Sequence, residues 1–316
     1  MEHALNRFLD DLSITDLCLN GPDCLFIDRG EGMKRVMDWP GFVDEAAYRR
    51  FILEQLSLIG RSWDSKHPFV DGVFFGTHRA HVVFPPLSSS GTLLSLRRLP
   101  VPESAESGHA LAESRWARDS EAFGVLRRAT LARETILLAG STGSGKTTLL
   151  SDLITFIPET ERLIALEDTA EIRPGHPHWV SLLSRPHNSD GFGAVSIREL
   201  LRQALRMRPD RILLGECRGE EVLDLLQALN SGHRGTLATL HANSAKEALK
   251  RIELLALLAS RTGVAPQWIR ELMVQGIQWV AHLESLSGHR RIRSVIRIEG
   301  LERETVISRP VYSAPP

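Results

Sequence analysis

The sequence is short of several things. Three cysteines, Cys18, Cys24 and Cys217, are scattered without a Cys-x-x-Cys pair. Neither a disulfide framework nor a zinc knuckle fits them, and reduced thiols are the simpler state. Net charge is −1 and only 6% of residues are aromatic. No global basic field or aromatic-rich composition points to nucleic acid or an anionic membrane. Apolar runs such as Leu254 to Ala259 are far too short to span a bilayer. The first residues lack a cationic segment followed by an apolar one, so no signal peptide is expected. Internal repeats and low-complexity tracts are also missing.

What is present suits a soluble globular protein: 316 residues, 42% hydrophobic and 24% charged. That length favours two domains. Up to residue 99 the pattern is mixed α/β. Phe42 to Ile59 has helical spacing, and Phe69 to Val73, His78 to Phe84 and Thr92 to Leu96 read as strands. Pro100 to Gly108 is rich in Pro, Ser and Glu, so residues 100–112 read as a linker. Residues 113–316 read as the second domain, in which strand and helix alternate from about Arg133. The strands are Thr135 to Ala139, Arg162 to Leu166, Arg211 to Leu214 and Thr236 to Leu240. Ser196 with Glu199, and Ser244 with Glu247, open two of the helices. Such alternation predicts a mostly parallel sheet covered on both faces, with ligands at the carboxyl ends of its strands.

Gly140-Ser141-Thr142-Gly143-Ser144-Gly145-Lys146-Thr147, followed by Thr148, fits the phosphate-loop pattern without a mismatch. The glycines let backbone N–H groups turn inward around phosphates at a helix N-terminus. Lys146 is expected to reach the β- and γ-phosphates of ATP, and the Thr147 hydroxyl to ligate Mg²⁺. Glu216 closes the strand from Arg211. There it can orient water or hold Mg²⁺ through water, or simply open the next helix. Glu167 and Asp168 close the strand from Arg162 in the same way, and one of them can instead cap the next segment. His241 closes a third strand; it and His233 fit a structural role as well as a catalytic one. Arg79, Arg97 and Arg98 could stabilise phosphoryl charge or be solvated strand residues. Arg290, Arg291, Arg293 and Arg297 alternate with Ile292, Ile296 and Ile298 and read as the polar face of a terminal hairpin.

Four ordered blocks resemble the secretion ATPases of type II and type IV systems, closest to the CpaF/TadA and VirB-type branch. They are the phosphate loop, Ala165-Leu-Glu-Asp-Thr-Ala-Glu171, Leu205 through Gly219, and Gly232 through Ser244. His67 through Asp71, Thr77 through Arg79 and Ser95 through Arg98 extend the likeness. The resemblance implies a RecA-like phosphate-loop domain behind an N-terminal α/β domain. Glu167 becomes the Asp-box acid, Glu216 the Walker B catalytic acid and His241 the γ-phosphate sensor. Arg79, Arg97 and Arg98 match arginines that approach the nucleotide. It further implies a homohexameric ATP-hydrolysing motor, cytoplasmic and peripheral to the inner membrane through a secretion or pilus platform protein; by charge and aromatic content no direct nucleic-acid binding is expected. Residues alone leave a ring-forming nucleic-acid translocase and a non-catalytic nucleotide-binding scaffold open. Cys217, Phe74-Phe75-Gly76 and Ser141 depart from the family pattern, and the four-cysteine zinc insertion of one branch is absent.

Overall fold

In a computed structural model of the chain, the described residues are 2–63, 68–99, 105–185, 193–260, 263–286 and 289–314. The chain divides into two compact units. One comprises Met1–Val101 with His187–Ala194, the other Pro102–Pro186 with Val195–Pro316.

The first unit contains α1 (Glu2–Leu9), β1 (Asp16–Asn20), β2 (Leu25–Asp28), β3 (Lys34–Arg35), α2 (Glu45–Leu58), β4 (Phe69–Phe74), β5 (His78–Val83) and β6 (Leu93–Arg98). The strands form one antiparallel sheet in the order β3-β2-β1-β6-β5-β4. Inward residues such as Leu17, Leu19, Ala80, Val82, Leu94 and Leu96 alternate along the strands and are buried with Tyr48, Ile52 and Leu56 of α2. Asp44 caps α2 by accepting from the Ala47 N–H. β1 to β3 and α1 escape periodicity reading because each is only two to eight residues long.

The second unit opens with α3 (Ala105–Arg115), inside the stretch that reads as linker. Pro and Ser set that stretch's composition, yet the alanines and glutamates from Ala105 on are good helix formers. Ala112 and Trp116 are buried, and the Trp116 indole donates to Asp152 of the later helix α5. Pro100 to Ser104, the start of that stretch, and His67 lie outside the described residues. There follow α4 (Ser120–Leu131), β7 (Ile136–Gly140), α5 (Lys146–Ile154), β8 (Leu163–Glu167), β9 (Trp179–Leu183), α6 (Ile197–Ala204), β10 (Arg211–Cys217), α7 (Glu221–Asn230), β11 (Leu237–Leu240), α8 (Ala245–Ala259), α9 (Pro266–Gly276), β12 (Trp279–Leu286), β13 (His289–Glu302) and β14 (Thr305–Ser313).

The sheet order is β14-β13-β12-β7-β11-β10-β8-β9. The strands from β12 to β9 run parallel; β13 and β14 add an antiparallel edge. The fold is thus mixed α/β with a mostly parallel sheet in this unit, as the alternation predicts. Successive residues of β7 serve opposite faces. Leu137 and Ala139 pack with α6 to α9, while Ile136 and Leu138 pack with α3 to α5. The Ser196–Glu199 capping box forms, and Ser244 caps α8.

Candidate active site

β7 delivers the chain to Gly140, and the loop re-enters α5 at Lys146. Gly143 and Gly145 take φ of +77° and +95°, a region that costs other residues strain. A Cβ on Gly140 would lie 2.4 Å from Ser144 Oγ and 2.5 Å from Leu283 O, so only glycine fits there. α5 opens on Gly145 without a side-chain cap, which leaves its first N–H groups for an anion. Ser144 Oγ is buried without a hydrogen-bond partner. The uncapped helix start, the glycine cradle and this orphaned hydroxyl fit a polyphosphate. Lys146 is buried, and its Nζ donates to Gly140 O at 2.9 Å and Ser141 O at 2.8 Å. Burial pulls its pKa below the ordinary lysine value, with the Glu216 carboxylate opposing.

Three parallel strand ends supply the acids and the imidazole. The pairing of β10 with β11 shifts between Leu214 and Cys217, a bulge that re-aims Glu216. Glu216 Oε1 lies 3.1 Å from His241 Nε2, and Oε2 accepts from Arg218 Nη2 at 2.5 Å. Burial alone would raise the Glu216 carboxyl. Arg218, then His241 and Lys146, outweigh it and hold the group below the usual glutamate value. Burial and the Lys146 charge lower the His241 pKa, against the pull of Glu216.

Glu167 has a different setting. It is 3% exposed, and its Oε1 accepts from the Glu171 and Ile172 N–H groups, each at 2.9 Å. Oε2 accepts from Ser181 Oγ of β9 at 3.1 Å. Burial outweighs these donors and pushes its pKa up to about 7. Asp168 faces the other way. Its Oδ1 accepts from Ser184 Oγ at 2.7 Å and its Oδ2 lies 3.3 Å from Arg218 Nη1.

Two residues of this site carry no role in the sequence reading. Arg218 stands two positions after Glu216, the strand spacing that returns a side chain to the same face, and that signal was available. Arg290, read as part of one polar face of a terminal hairpin, is exposed on that hairpin and also reaches the phosphate loop. Its Nη1 donates to Thr148 Oγ1 at 2.9 Å, and its Cδ lies 2.8 Å from where a Gly145 Cβ would be. β12 runs parallel beside β7, so its hairpin partner β13 carries Arg290 onto the phosphate loop. The neighbouring arginines are also engaged: Arg291 and Arg293 face Glu284, and Arg297 lies 5.3 Å over the Trp279 ring.

The N-terminal arginines sit together in the first unit. Arg79 and Arg97 are register partners on β5 and β6. Arg97 Nε donates to Asp16 Oδ1 at 2.7 Å. Arg98 spends its guanidinium on the carbonyls of Leu9, Asp11 and Ile14, a structural tie to the end of α1 and the loop that follows it. Phe75 and Gly76, both at positive φ, turn β4 into β5 and place Arg79 opposite Val73.

A parallel sheet with a glycine-rich loop between a strand and a helix start, acids at neighbouring strand ends, and a buried lysine defines a phosphate-loop nucleotide-binding domain. The chain belongs to the type II/IV secretion system protein family, whose model matches residues 79–280. A putative conjugal transfer protein of Mycobacterium tuberculosis is 38% identical over 89% of this chain and 80% of its own length. The type IV secretion system protein PtlH of Bordetella pertussis is 34% identical over 93% and 92%. The VirB11 ATPase from the Brucella suis type IV secretion system, solved in complex with sulphate, superposes with a TM-score of 0.51 at 26% identity, covering 93% and 92%. No described helix is long and apolar enough to cross a membrane.

Proposed function

We propose that the protein hydrolyses ATP to ADP and phosphate in a Mg²⁺-dependent reaction and works as a homohexameric motor for pilus assembly or macromolecule secretion. The convergence of Lys146, Glu216 and His241 on one glycine-rich loop carries the reading. ATP phosphates lie in the cradle from Gly140 to Thr148. Lys146 exchanges the loop carbonyls for phosphate oxygens and neutralises charge that builds on the leaving group. Glu216, kept ionised by Arg218, takes a proton from water as the oxygen attacks the γ-phosphorus; the bond to the ADP oxygen breaks. His241, whose Nε2 lies beside Glu216 Oε1, holds the acid's other oxygen. Thr147 and Glu216 would hold Mg²⁺, which supplies charge neutralisation between the phosphates.

The names of the relatives support a role in conjugal transfer or type IV secretion; on family likeness the protein works from the cytoplasmic side of the inner membrane, reached through a platform protein. The ring reading rests on family likeness and on Arg79 and Arg97. An arginine brought to a nucleotide by a second domain or subunit is worth on the order of 10³ in rate. Alanine at Arg97 is expected to lower turnover more than alanine at Arg309, an exposed partner of Glu299 on the edge strand.

Phosphate release by purified protein tests the reaction. Lys146→Ala and removal of divalent metal with EDTA are each expected to cut it by at least about 10²-fold. Unchanged release in Lys146→Ala would sink the assignment. Size-exclusion fractions assayed separately test the ring: a species that stays monomeric and turns over as fast as the large one overturns it.

A further inference from the structure

We propose that Glu167 is a positioning residue and not the reacting carboxylate: its grip on the loop after β8 places Asp168, and through Asp168 and Arg218 it orients Glu216. This inference rests on the ATPase reading above and assigns roles within that site.

The grip is made of backbone. Both donors to Oε1 are main-chain N–H groups of the loop itself, four and five residues on, and Ser181 ties the other oxygen to the neighbouring strand. Ile172, the second donor residue, is buried at 1% exposure and anchors the far end of the loop in the core. The adjacent strand makes room for this arrangement. A Cβ on Gly215 would lie 3.2 Å from Glu167 Cγ and 3.3 Å from Leu166 O. A carboxylate engaged in this way has little capacity left for water or metal.

The line from the loop to the chemistry is continuous. Asp168 takes Arg218 at 3.3 Å, Arg218 takes Glu216 Oε2 at 2.5 Å, and Glu216 Oε1 remains beside His241. Arg218 is the most exposed side chain in that line, at 55% against 42% for Asp168 and 18% for Glu216, so its guanidinium rests where the carboxylates on either side hold it. A glutamine at 167 keeps one oxygen for the two N–H groups and offers its amide N–H to Ser181 Oγ, which accepts as readily as it donates. A glutamine at 216 keeps shape but loses the base.

The test combines hydrogen–deuterium exchange over residues 168–172 with single-turnover ATPase kinetics and nucleotide affinity, on the full chain. Glu167→Gln is expected to keep the wild-type exchange pattern and to lose at least about tenfold less turnover than Glu216→Gln. Glu167→Ala is expected to speed exchange at Glu171 and Ile172 by about tenfold or more. Its turnover falls while ATP affinity holds, a split that general destabilisation would not give. Adding Asp168→Asn to Arg218→Gln is expected to cost no further turnover, because both act through one contact. Glu167→Gln as inactive as Glu216→Gln overturns the proposal, as does unaltered exchange in Glu167→Ala or full additivity of the Asp168 and Arg218 changes. A wild type that releases no phosphate overturns the ATPase reading and the kinetic half with it. The exchange arm needs no ATP, so it separates that failure from a failure of the grip.

Discussion

The ends of β8 and β10 are adjacent in one sheet, and each carries a glutamate, yet the two carboxylates lead opposite lives. Glu216 is partly open, held ionised by Arg218 and set beside a histidine. Glu167 is closed off, held by backbone and pushed toward its neutral form. Register explains the split. Leu166 pairs with Leu214, so Glu167 and Gly215 are the next positions on the two strands, and Glu216 lies one residue further, within the bulge of β10. Successive strand residues face opposite ways, so an offset of one residue sends one acid into packing and the other to the site. Position at a strand's carboxyl end is therefore a weak guide to catalysis unless the register is known.

The comparison is sharpest in turnover. Glu216→Gln is expected to bind ATP and to hydrolyse it about 10² to 10³ times more slowly, since the base is lost and the volume kept. A steady-state assay at saturating ATP checks this. Normal turnover in Glu216→Gln would erase the distinction between the two acids.

Stability should rank them the other way. Glu167→Ala leaves two loop N–H groups and a serine hydroxyl without their acceptor, at about 1–3 kcal/mol for a buried donor. A loss on the order of 2–4 kcal/mol in urea unfolding is expected. Glu216→Ala breaks pairs with a half-exposed arginine and an imidazole, and should cost less than about 1 kcal/mol. Equal losses would mean that both acids are structural.

How far the sequence led is explained by the same physics. The phosphate loop, the strand–helix alternation from Thr135 to Leu258 and the capping box at Ser196 are local patterns, and local patterns were legible. The inward Ile292, Ile296 and Ile298 were legible too, as strand alternation. What Arg290 touches was not, because it depends on β12 pairing with β7, a contact across more than 130 positions of chain. The short strands β1 to β3 and the edge strand β9 carry too few residues for periodicity to show. Glu167 and Glu216 looked alike because register is a tertiary fact.

Proton linkage offers a third separation. The Glu167 carboxyl rises from the usual 4.5 to about 7 in the fold, with burial as the main cause. Between those values the native state holds a proton that the unfolded chain has lost. Stability from this group is therefore full below about pH 4.5 and declines as pH rises to about 7. Each pH unit across that interval is worth about 1.4 kcal/mol, giving a span on the order of 3–4 kcal/mol. Glu167→Gln cannot titrate. Urea midpoints at pH 5 and pH 8 should show wild type losing stability relative to the glutamine variant as pH rises. Parallel curves would remove the shift.

The smallest effect probes the space between the two strands. Gly215 has no special φ, so alanine is allowed by its backbone, and the cost comes from contact alone. Its Cβ would press on Glu167 Cγ at 3.2 Å and on the Leu166 carbonyl at 3.3 Å. The glutamate can give by a few tenths of an ångström, so Gly215→Ala is expected to cost about 1 kcal/mol. Loosened donors from Glu171 and Ile172 should accompany that loss. In a Glu167→Ala background the pressing side chain is gone, and the new methyl enters the space it leaves. The penalty at 215 should then shrink to near zero or reverse, giving a coupling of about 0.5–1 kcal/mol in a double-mutant cycle. Chemical denaturation of the four proteins at one pH measures it. Penalties that simply add would show that Gly215 is not there for Glu167, and that its absent side chain answers to the Leu166 carbonyl instead.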